Sequence, residues 1–569
     1  MSPVDDTVII VGAGLAGLVA AHELTRKNIH VTFVEQENEK NLGGQAFWSL
    51  GGLFLVNSAD QRSKGIKDSR ELAYKDWLGT AKFDREKEDI WPRRWAKAYV
   101  DFATDEKERY LKNLGLKFLT VGWAERGASA AGGHGNSVPR FHLTWGIGPE
   151  LVRIFAEPVK AAAKKGLVTF KYRHQVDEVI VDESTGAAVG VRGSVLEPSD
   201  AERGVGSSRT VVDKFNLRGR AVIISTGGVG GNPDLVKKNW PVHRLGPVPK
   251  YFVHGVPAHV DGRGVEIAEA AGANVINMDR MWHYTEGLAN WNPIWAAHGI
   301  RIIPGPSTLW LDATGKRLPA PLYPGCDTLA TLQHIGTTGY DYTWFILNRQ
   351  IVSREFTLSG SEQNPDIASK NYLKLLHRAF TRWGTYPVQA FMKHGADFVV
   401  EKDVASLVKG MNRLSAERDG PVLSESDVLA QIQTRDEQTQ HAYSKDPQIM
   451  LIKNARDYSS DKVRIAKPHP ILNPSSGPLI AVRCNIITRK SLGGLETNLE
   501  SKVMRPDGTP FPGLYAAGEA AVVSMGIARL RARLLAAVCS QVVLPAGPLL
   551  RRLLVEWVFR RNCSVALQV

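Results

Sequence analysis

The amino-acid sequence predicts an α/β fold built around a Rossmann-type nucleotide-binding unit. Three observations support this prediction. The apolar, β-branched run Thr7–Val11 leads directly into a glycine-rich turn at residues 12–17. A helical pattern over residues 15–27 follows, and then a second apolar run, His30–Glu35. Two further apolar runs, far downstream, each end in a small-residue turn.

The glycine turn has the spacing that binds a dinucleotide. Gly12 permits the tight turn, Gly14 lets the backbone approach a pyrophosphate, and Gly17 allows the helix to pack closely on the strand. Ala13 and Ala16 keep the intervening positions small. A pyrophosphate here would meet free backbone N–H groups at the positive end of the helix dipole.

The second strand ends in Glu35, which follows Gly17 by 18 residues. A carboxylate at this position accepts hydrogen bonds from ribose hydroxyls. The segments follow one another in the order and at the spacing of such a unit: a strand, the glycine turn, a helix, a second strand and a terminal acid. The sequence therefore predicts a complete dinucleotide-binding unit.

A second glycine pair favours FAD over a shorter dinucleotide. Gly43 and Gly44 come just after the ribose acid and are followed by Gln45, and Ser49 begins a further glycine-containing stretch. Small residues here allow the chain to pass flat over the remainder of a long cofactor.

Two remote segments strengthen the prediction of FAD. Alternating residues predict antiparallel strands in three stretches, which are residues 167–172, 176–182 and 188–192. Val176 lies in the second stretch, and the buried strand that follows ends at Thr226 and Gly227. Another strand ends at Gly518 and Glu519. An enzyme that bound only NAD(P) would leave these turns without a ligand, so it is the disfavoured alternative.

These motifs resemble the fumarate reductase/succinate dehydrogenase flavoprotein superfamily, and within it the 3-ketosteroid Δ1-dehydrogenase-like branch. The resemblance extends from residue 5 to about residue 523 and rests on residues 12–17, 35, 43–44, 225–228, 261–264, 271–273, 315–364, 493–494 and 519. It implies a Rossmann-type, GR2-like FAD-binding domain that is interrupted by an α+β substrate cap domain. The implied division is residues 1–245 and 466–523 for the FAD-binding domain, 246–465 for the cap and 524–569 for a tail.

The resemblance implies an FAD-dependent oxidoreductase that acts on a CH–CH bond of an apolar, ketosteroid-like small molecule. In such enzymes a hydride passes between a substrate carbon and flavin N5, while a protein acid or base handles the proton. Fumarate chemistry is disfavoured, because the stretch around Cys326 and Asp327 lacks the arginine of fumarate reductases. The electron acceptor stays open.

Tyrosines are the acid–base groups that the resemblance to ketosteroid dehydrogenases implies. Tyr284 and Tyr342 are the first candidates, with His142 as a third acid–base candidate. Further candidates are Tyr323, Tyr340 and His283. Packing or hydrogen bonding in the core is the alternative role for each of them.

Composition argues against other classes of protein. Of the net charge of +13, the tail from residue 526 carries +6, so the remainder of the chain offers no basic stripe for nucleic acid. The four cysteines have no CxxC spacing, so neither a metal site nor a disulfide framework is predicted. The N-terminus does not resemble a signal peptide, and we expect an intracellular, cytoplasmic protein.

The C-terminal tail departs from the family pattern. Where the nearest branch has a sequence resembling Gly-Val-His-Gly-Tyr-Arg, this chain has Val523-Ser-Met-Gly-Ile-Ala528. The codons GGT GTC CAT GGG TAT CGC, read one base later, encode the sequence found here. We therefore hypothesise that residues from about 522 onward are out of frame, which sequencing of the transcript would test.

Two alternatives follow from this tail. A chain that lacks the family's flavin-covering loop could be a catalytically defective flavoprotein homologue. Residues 534–550 are apolar between arginines, which is a feature of membrane anchors. This run includes Ser540, Gln541 and Pro545 and is shorter than the ~20 residues that span a bilayer, so no membrane association is expected.

Overall fold

The computed structural model describes residues 7–81, 83–123, 125–126, 136–381 and 384–522. The hypotheses of a frameshift and of a tail anchor concern residues outside these ranges. Among the described residues, no helix combines the length and the apolar character needed to cross a bilayer.

A six-stranded sheet, the nucleotide-binding sheet, organises the N-terminal and C-terminal parts of the chain. Its strands are parallel except at one edge, and their spatial order is Lys502–Met504, Pro510–Ala516, Ala221–Ile224, Thr7–Val11, His30–Glu35 and Val168–Tyr172. The central strands are apolar and β-branched because both faces of a parallel sheet are covered. This sheet confirms the predicted α/β class.

Two helices cover one face of the nucleotide-binding sheet. Leu15–Thr25 follows the glycine turn as predicted, and Ile147–Lys164 packs beside it. Leu18 and Phe155 are wholly buried in the apolar core that these helices share with the sheet. This packing fixes the N-terminus of the first helix at the edge of the sheet where Glu35 ends its strand.

An antiparallel three-stranded meander, His174–Val181, Ala188–Leu196 and Val211–Arg218, covers the other face. One prediction is wrong here. Residues 167–172 were expected to pair antiparallel with the meander, but Val168–Tyr172 pairs parallel with His30–Glu35. Alternation of residues identifies a strand but not its partner, and the free edge of the parallel sheet supplied that partner.

A second sheet of eight strands holds the middle of the chain. Its central strand, Leu479–Ser491, is bonded to Met281–Ala289 and Tyr342–Asn348. The other strands are Val253–His254, Gly299–Ile303, Leu309–Asp312, Thr357–Leu358 and Phe398–Glu401. Residues after the predicted cap segment therefore complete a sheet whose other strands belong to it, and the predicted domain boundaries stay predictions.

Small sheets and helices fill in around these two. Gly52–Phe54, Phe141–Thr144 and Phe118–Gly122 form a three-stranded sheet, and Val275–Ile276 pairs with Gly494–Leu495. The remaining α-helices are Ala59–Ser63, Arg70–Ala81, Ile90–Asp105, Lys107–Asn113, Pro233–Lys238, Val242–Leu245, Arg263–Ala270, Thr328–Thr337, Arg349–Glu355, Pro365–Ala368, Tyr372–Phe380, Tyr386–His394, Val404–Ala416, Glu425–Gln440, Pro447–Ala455 and Ser459–Arg464.

Candidate functional site

The glycine turn after Thr7–Val11 is shaped by close backbone contacts. Gly12 has a φ of +94°, and a methyl group there would lie 2.8 Å from the carbonyl oxygen of Ser225. A methyl group on Gly17 would lie 2.4 Å from the carbonyl oxygen of Gly12. Gly14 differs, because a methyl group there would approach no atom closer than 3.8 Å. Gly12 and Gly17 are thus required for packing, whereas Gly14 leaves space open.

Glu35 joins the end of the second strand to the glycine turn. The backbone N–H of Ala13 donates to Glu35 Oε2 at 2.7 Å, and that of Glu37 donates to Oε1 at 2.9 Å. Burial raises the pKa of this carboxyl above its ordinary value. The acid therefore lies beside the turn, as the sequence predicts for a ribose-binding group.

The second glycine pair meets the first. Gly43 and Gly44 have φ values of +95° and +56°, and the N–H of Gly43 donates to the carbonyl of Ala13 at 2.9 Å. Gln45 then donates from Nε2 to Glu519 Oε2 at 2.5 Å. Segments more than 470 residues apart are thereby joined at one point.

The third segment arrives from the strand Ala221–Ile224. Ser225 Oγ donates to the carbonyl of Gly12 at 2.8 Å, which holds the two turns together. Thr226 Oγ1 is buried and has no hydrogen-bond partner in the described ranges. Gly227 has a φ of +82°. A buried hydroxyl of this kind is normally satisfied, so it marks a place where a ligand atom fits.

The fourth segment brings in Glu519. Gly518 turns the chain with a φ of +75°, and the buried Glu519 carboxylate accepts from the backbone N–H of Ser491 at 2.9 Å. Burial raises the pKa of Glu519, although Lys490 near it opposes this. The carboxylate ties the nucleotide-binding sheet to the last residues of the strand Leu479–Ser491.

These segments line one cavity of about 100 Å³, which we call the dinucleotide cleft. The predicted cofactor residues that line it are Gly12, Gly14, Ala16, Glu35, Gly43, Gly44, Gln45, Val176, Thr226, Gly227 and Glu519. Ala13, Gly17 and Gly518 instead hold the adjoining backbone. The predicted segments therefore converge.

Sequence reasoning missed several residues at one end of the cleft. Gln36, His259, Asp261 and Arg263 all line it. Gln36 Nε2 donates to the carbonyl of His259 at 3.0 Å, and the N–H of Arg263 donates to Asp261 Oδ1 at 3.1 Å. Residues 261–264 are among those that carry the family resemblance, which could have indicated this role, but the sequence alone does not assign them to the cofactor.

A second cavity of about 70 Å³, the inner cavity, continues from the cleft. The two share Leu15, Gln45 and Ala46. Among the residues that line the inner cavity but not the cleft are Ser49, Tyr284, Arg489, Lys490, Gly52 and Phe141. The one predicted catalytic residue that reaches it, in the described part of the chain, is Tyr284.

Tyr284 lies on the strand Met281–Ala289, opposite Ile487 of the neighbouring strand. The guanidinium carbon of Arg301 lies 3.7 Å from the centre of its ring. Arg301 is itself buried and bonded to Glu286 at 3.2 Å and Glu125 at 3.0 Å. Burial alone would lower the pKa of Arg301, but these two carboxylates raise it, so a positive charge is held at the tyrosine.

Arg489 is a functional candidate that sequence reasoning missed. Its Nε donates to the carbonyl of Gly255 at 3.2 Å and its Nη1 to Ser359 Oγ at 3.1 Å. Burial lowers the pKa of its guanidinium. Two bonds fix the side chain while Nη2 has no protein acceptor in the described residues. No sequence motif pointed to it, because its place depends on strand pairing.

An outer chamber of about 380 Å³ adjoins the inner cavity, with which it shares Leu50 and Phe141. Apolar side chains of Ile303, Phe356 and Ile367 are buried in its wall. Its size falls in the range of small-molecule binding sites. The dinucleotide cleft, the inner cavity and the outer chamber thus form a sequence of adjoining spaces.

Comparison with known proteins gives the family. The FAD binding domain family matches residues 7–533. The chain belongs to the FAD binding domain family. This flavoprotein is 58% identical over 519 residues to "KsdD-like steroid dehydrogenase" of Mycolicibacterium smegmatis, covering 91% of this chain and 93% of that protein. A protein with the same description in Mycobacterium tuberculosis is 56% identical over 515 residues, covering 90% and 89%.

Solved structures show the same fold. A 3-ketosteroid Δ1-dehydrogenase from Sterolibacterium denitrificans superimposes with a TM-score of 0.66 at 14% identity, covering 95% of this flavoprotein and 100% of that chain. A flavocytochrome c3 fumarate reductase gives a TM-score of 0.60 at 16% identity, covering 95% and 78%. These structures confirm the predicted fold. The family match and the mycobacterial relatives show that the flavoprotein is an FAD-dependent oxidoreductase.

The residues that line the dinucleotide cleft suit FAD. Gly14 leaves open space beside the backbone, Thr226 Oγ1 has no protein partner in the ranges described, and the Glu35 carboxylate lies at the end of its strand. The N-terminus of Leu15–Thr25 opens into the same space, which suits a pyrophosphate. The inner cavity adjoins this cleft at Leu15, Gln45 and Ala46.

The other predicted catalytic residues of the flavoprotein lie away from the inner cavity. Tyr342 is buried in the core of the second sheet, where its hydroxyl and Ser415 Oγ are 2.8 Å apart. His142 is buried between Ser58 Oγ at 2.6 Å and the carbonyl of Arg140 at 3.0 Å. Burial lowers the pKa of His142 to about 4. Neither residue is among those that line the inner cavity in the described part of the chain, and their sequence context could not reveal this.

The secondary candidates are also away from this cavity. His283 packs on Trp240 with ring centres 4.7 Å apart, and burial lowers its pKa to about 3. Tyr323 is buried, and burial raises its pKa. Tyr340 packs edge-on against Tyr342. Neighbouring residues of a strand point to opposite faces, so only Tyr284 of the pair 283–284 reaches the inner cavity.

Proposed function

We propose that this flavoprotein catalyses the oxidation or reduction of a carbon–carbon bond beside a carbonyl group in an apolar, ketosteroid-like substrate. The observation that carries the proposal is the position of Tyr284 and Arg489 together in the inner cavity, next to the dinucleotide cleft. Bound FAD supplies the two-electron chemistry at that junction. The names of the steroid dehydrogenase relatives support the same substrate class.

Tyr284 is proposed to move the proton at the carbon beside the carbonyl. Its phenol lies in a buried cavity, where proton transfer to a positioned side chain is effective. Negative charge develops on the phenol oxygen when its proton leaves. The Arg301 guanidinium, 3.7 Å from the ring centre, stabilises that charge.

Arg489 is proposed to bind the substrate carbonyl oxygen. Removal of a proton from the neighbouring carbon places negative charge on this oxygen, and a fixed guanidinium donor stabilises it. The bonds to Gly255 and Ser359 hold the side chain in place beforehand. Arg489 thus orients the substrate and polarises it, while Tyr284 handles the proton.

The same proposal assigns the cofactor contacts. The turn from Gly12 to Ala16 and the pair Gly43–Gly44 would hold the pyrophosphate, and Glu35 would hold the ribose. Thr226, Gln45 and Glu519 would contact the flavin half, and Ser49 would lie beside the ring. The division of the chain into an FAD-binding domain and an inserted cap is part of this proposal.

The substitution Tyr284→Phe tests the role of this tyrosine. We expect flavin content to be unchanged, and dye reduction with a panel of 3-ketosteroids to fall about a hundredfold or more, because only the hydroxyl is removed. Tyr342→Phe is the matched control, since it removes a buried hydroxyl from the core and should leave turnover intact. Full activity of Tyr284→Phe would contradict the proposal.

One observation favours the alternative that this chain is a catalytically defective homologue. The stretch after Val522 departs from the loop that the family places across the flavin. The absorbance spectrum of the purified chain separates the two, because bound flavin absorbs near ~450 nm and bleaches on reduction. A colourless chain supports the defective homologue, and a yellow chain that bleaches with a ketosteroid supports the enzyme.

A further inference from the structure

The wall of the outer chamber carries charge of only one sign. Three arginines line it, Arg354, Arg378 and Arg464, and no aspartate or glutamate does so in the described part of the chain. The rest of the wall is mostly apolar. An apolar molecule alone would not need guanidinium groups in its binding site, and burying them is unfavourable unless they are paired.

Arg464 combines burial with incomplete hydrogen bonding. Its Nη2 donates to the carbonyl of Ile303 at 2.8 Å, while its Nε is buried without a hydrogen-bond partner in the ranges described. No carboxylate there forms an ion pair with it. The nearby Asp461 is already paired with Arg126 at 2.8 Å. Burial accordingly lowers the pKa of Arg464.

The other two arginines differ in a useful way. Arg378 is neutralised, because its Nη1 lies 3.1 Å from Asp366 and also donates to Asn364. Arg354 is exposed and, within the described residues, has no ion-pair partner. Among the described residues, the chamber therefore presents two guanidinium groups without an ion pair, those of Arg354 and Arg464, that a ligand can neutralise.

We propose that the substrate is an apolar molecule that ends in an acidic group, and that Arg464 and Arg354 bind this group in the outer chamber. The substrate's other end would reach Tyr284 and Arg489 through the space shared at Leu50 and Phe141. This inference rests on the proposed function and adds the substrate class. A guanidinium binds a carboxylate through charge-assisted hydrogen bonds, which are stronger than neutral ones.

A matched pair of ligands tests the inference. The probes are a 3-ketosteroid whose side chain ends in a carboxylate and the methyl ester of the same compound, titrated into the full chain by calorimetry. We expect the acid to bind at least about tenfold more tightly than the ester, since the ester cannot form an ion pair. Equal affinities, or tighter binding of the ester, would overturn the inference.

The substitution Arg464→Gln locates the acid. It should abolish the preference for the acid while leaving the affinity for the ester within about twofold. Arg378→Gln is the matched control in the same chamber, and because Asp366 already neutralises this arginine, the preference should persist. If Arg464→Gln and Arg378→Gln lose the preference for the acid equally, there is no specific site at Arg464. The same conclusion follows if Arg464→Gln weakens binding of the acid and of the ester equally. If Arg464→Gln does not fold, the comparison in the unmodified chain still decides.

Binding and turnover separate this inference from the proposed function. If the acid binds selectively but neither ligand reduces a dye in a flavin-loaded chain, the substrate class stands and the carbon–carbon chemistry fails. If the chain turns over a neutral ketosteroid but binds the acid no more tightly than the ester, the carbon–carbon chemistry stands and the acidic substrate class fails. Each proposal therefore has its own contrary result.

Discussion

At the scale of single residues, the glycines of the first turn have separate tasks. Gly12 has a φ of +94°, and Gly17 lies against the carbonyl of Gly12. At both positions, neighbouring backbone atoms leave no room for a side chain. Gly14 begins the first helix in an ordinary extended conformation, with φ −70°, and faces the cleft. The protein leaves room for a side chain at Gly14, and such a side chain would enter the cleft. The residue type alone therefore does not separate structural glycines from ligand-binding ones.

Substitutions at Gly12 and Gly14 should therefore have different effects. Gly14→Ala should leave the unfolding temperature of the flavin-free chain unchanged but weaken FAD binding about tenfold or more, because its methyl group occupies ligand space. Gly12→Ala should lower the unfolding temperature, since it combines a strained φ with a 2.8 Å contact. Thermal unfolding without FAD and fluorescence titration with FAD measure the two effects. Similar behaviour of both variants would contradict this assignment.

At the scale of secondary-structure elements, the ends of neighbouring strands decide which residues meet. The parallel strands Thr7–Val11, His30–Glu35 and Ala221–Ile224 all end at the same edge, which brings their polar turns together. Pairing of Met281–Ala289 with Leu479–Ser491 likewise brings Tyr284 beside Arg489. In the three-stranded sheet, Phe141 lines the inner cavity and the outer chamber, whereas the next residue, His142, is buried and hydrogen-bonded within the protein.

His142 should make stability depend on pH. Burial lowers its folded pKa to about 4, below the ordinary value of 6.5. The unfolded chain binds the proton first, so the stabilisation is fully present above pH 6.5 and is lost as the pH falls towards 4. Relative to His142→Gln, the unmodified chain should lose about 2 kcal/mol of unfolding free energy between roughly pH 6.5 and 4.5.

Urea titrations at the two pH values measure this difference. His441→Gln is the control, because that histidine is exposed and its replacement should shift both curves equally or not at all. A difference between the unmodified chain and His142→Gln that stays constant with pH would contradict a buried neutral imidazole. Comparing the unmodified chain with His142→Gln at the same pH removes the contribution of carboxyl groups such as Glu35. The raised pKa of Glu35 changes the free energy of unfolding with pH in the opposite direction to that of His142.

At the scale of the whole molecule, the dinucleotide cleft brings together parts of the chain that are distant in sequence. The cleft joins Gly12, Gly43, Thr226 and Glu519, and the inner cavity adds Arg489. A ligand that binds only when these segments are assembled stabilises the folded state by mass action. The cofactor is thus expected to stabilise both sheets together.

Added FAD should raise the unfolding temperature of the chain. At a hundredfold excess over its dissociation constant, the stabilisation is about 2.7 kcal/mol. A version in which the reading frame is restored after residue 521 should show the larger shift at equal FAD, because the family places a loop over the flavin ring there. Scanning fluorimetry of both versions measures this. Equal shifts would contradict the hypothesis that the present tail removes cofactor contacts.

The sequence by itself determined the cofactor and the main fold. The turn at residues 12–17, Glu35 and the two downstream turns each require a local backbone conformation, and local conformation is encoded in neighbouring residues. The candidate list of tyrosines and histidines contained Tyr284, but nothing local distinguished it from Tyr342 or His142.

Only the tertiary structure shows which of these candidates lines the inner cavity. Strand pairing brought Tyr284 and Arg489 into one cavity, buried Tyr342 against Ser415, and gave Val168–Tyr172 a parallel partner. It also gathered Arg354 and Arg464 around the outer chamber. These relations depend on which segments meet across hundreds of residues. Such contacts arise from the packing of the whole chain, which no single stretch of sequence specifies.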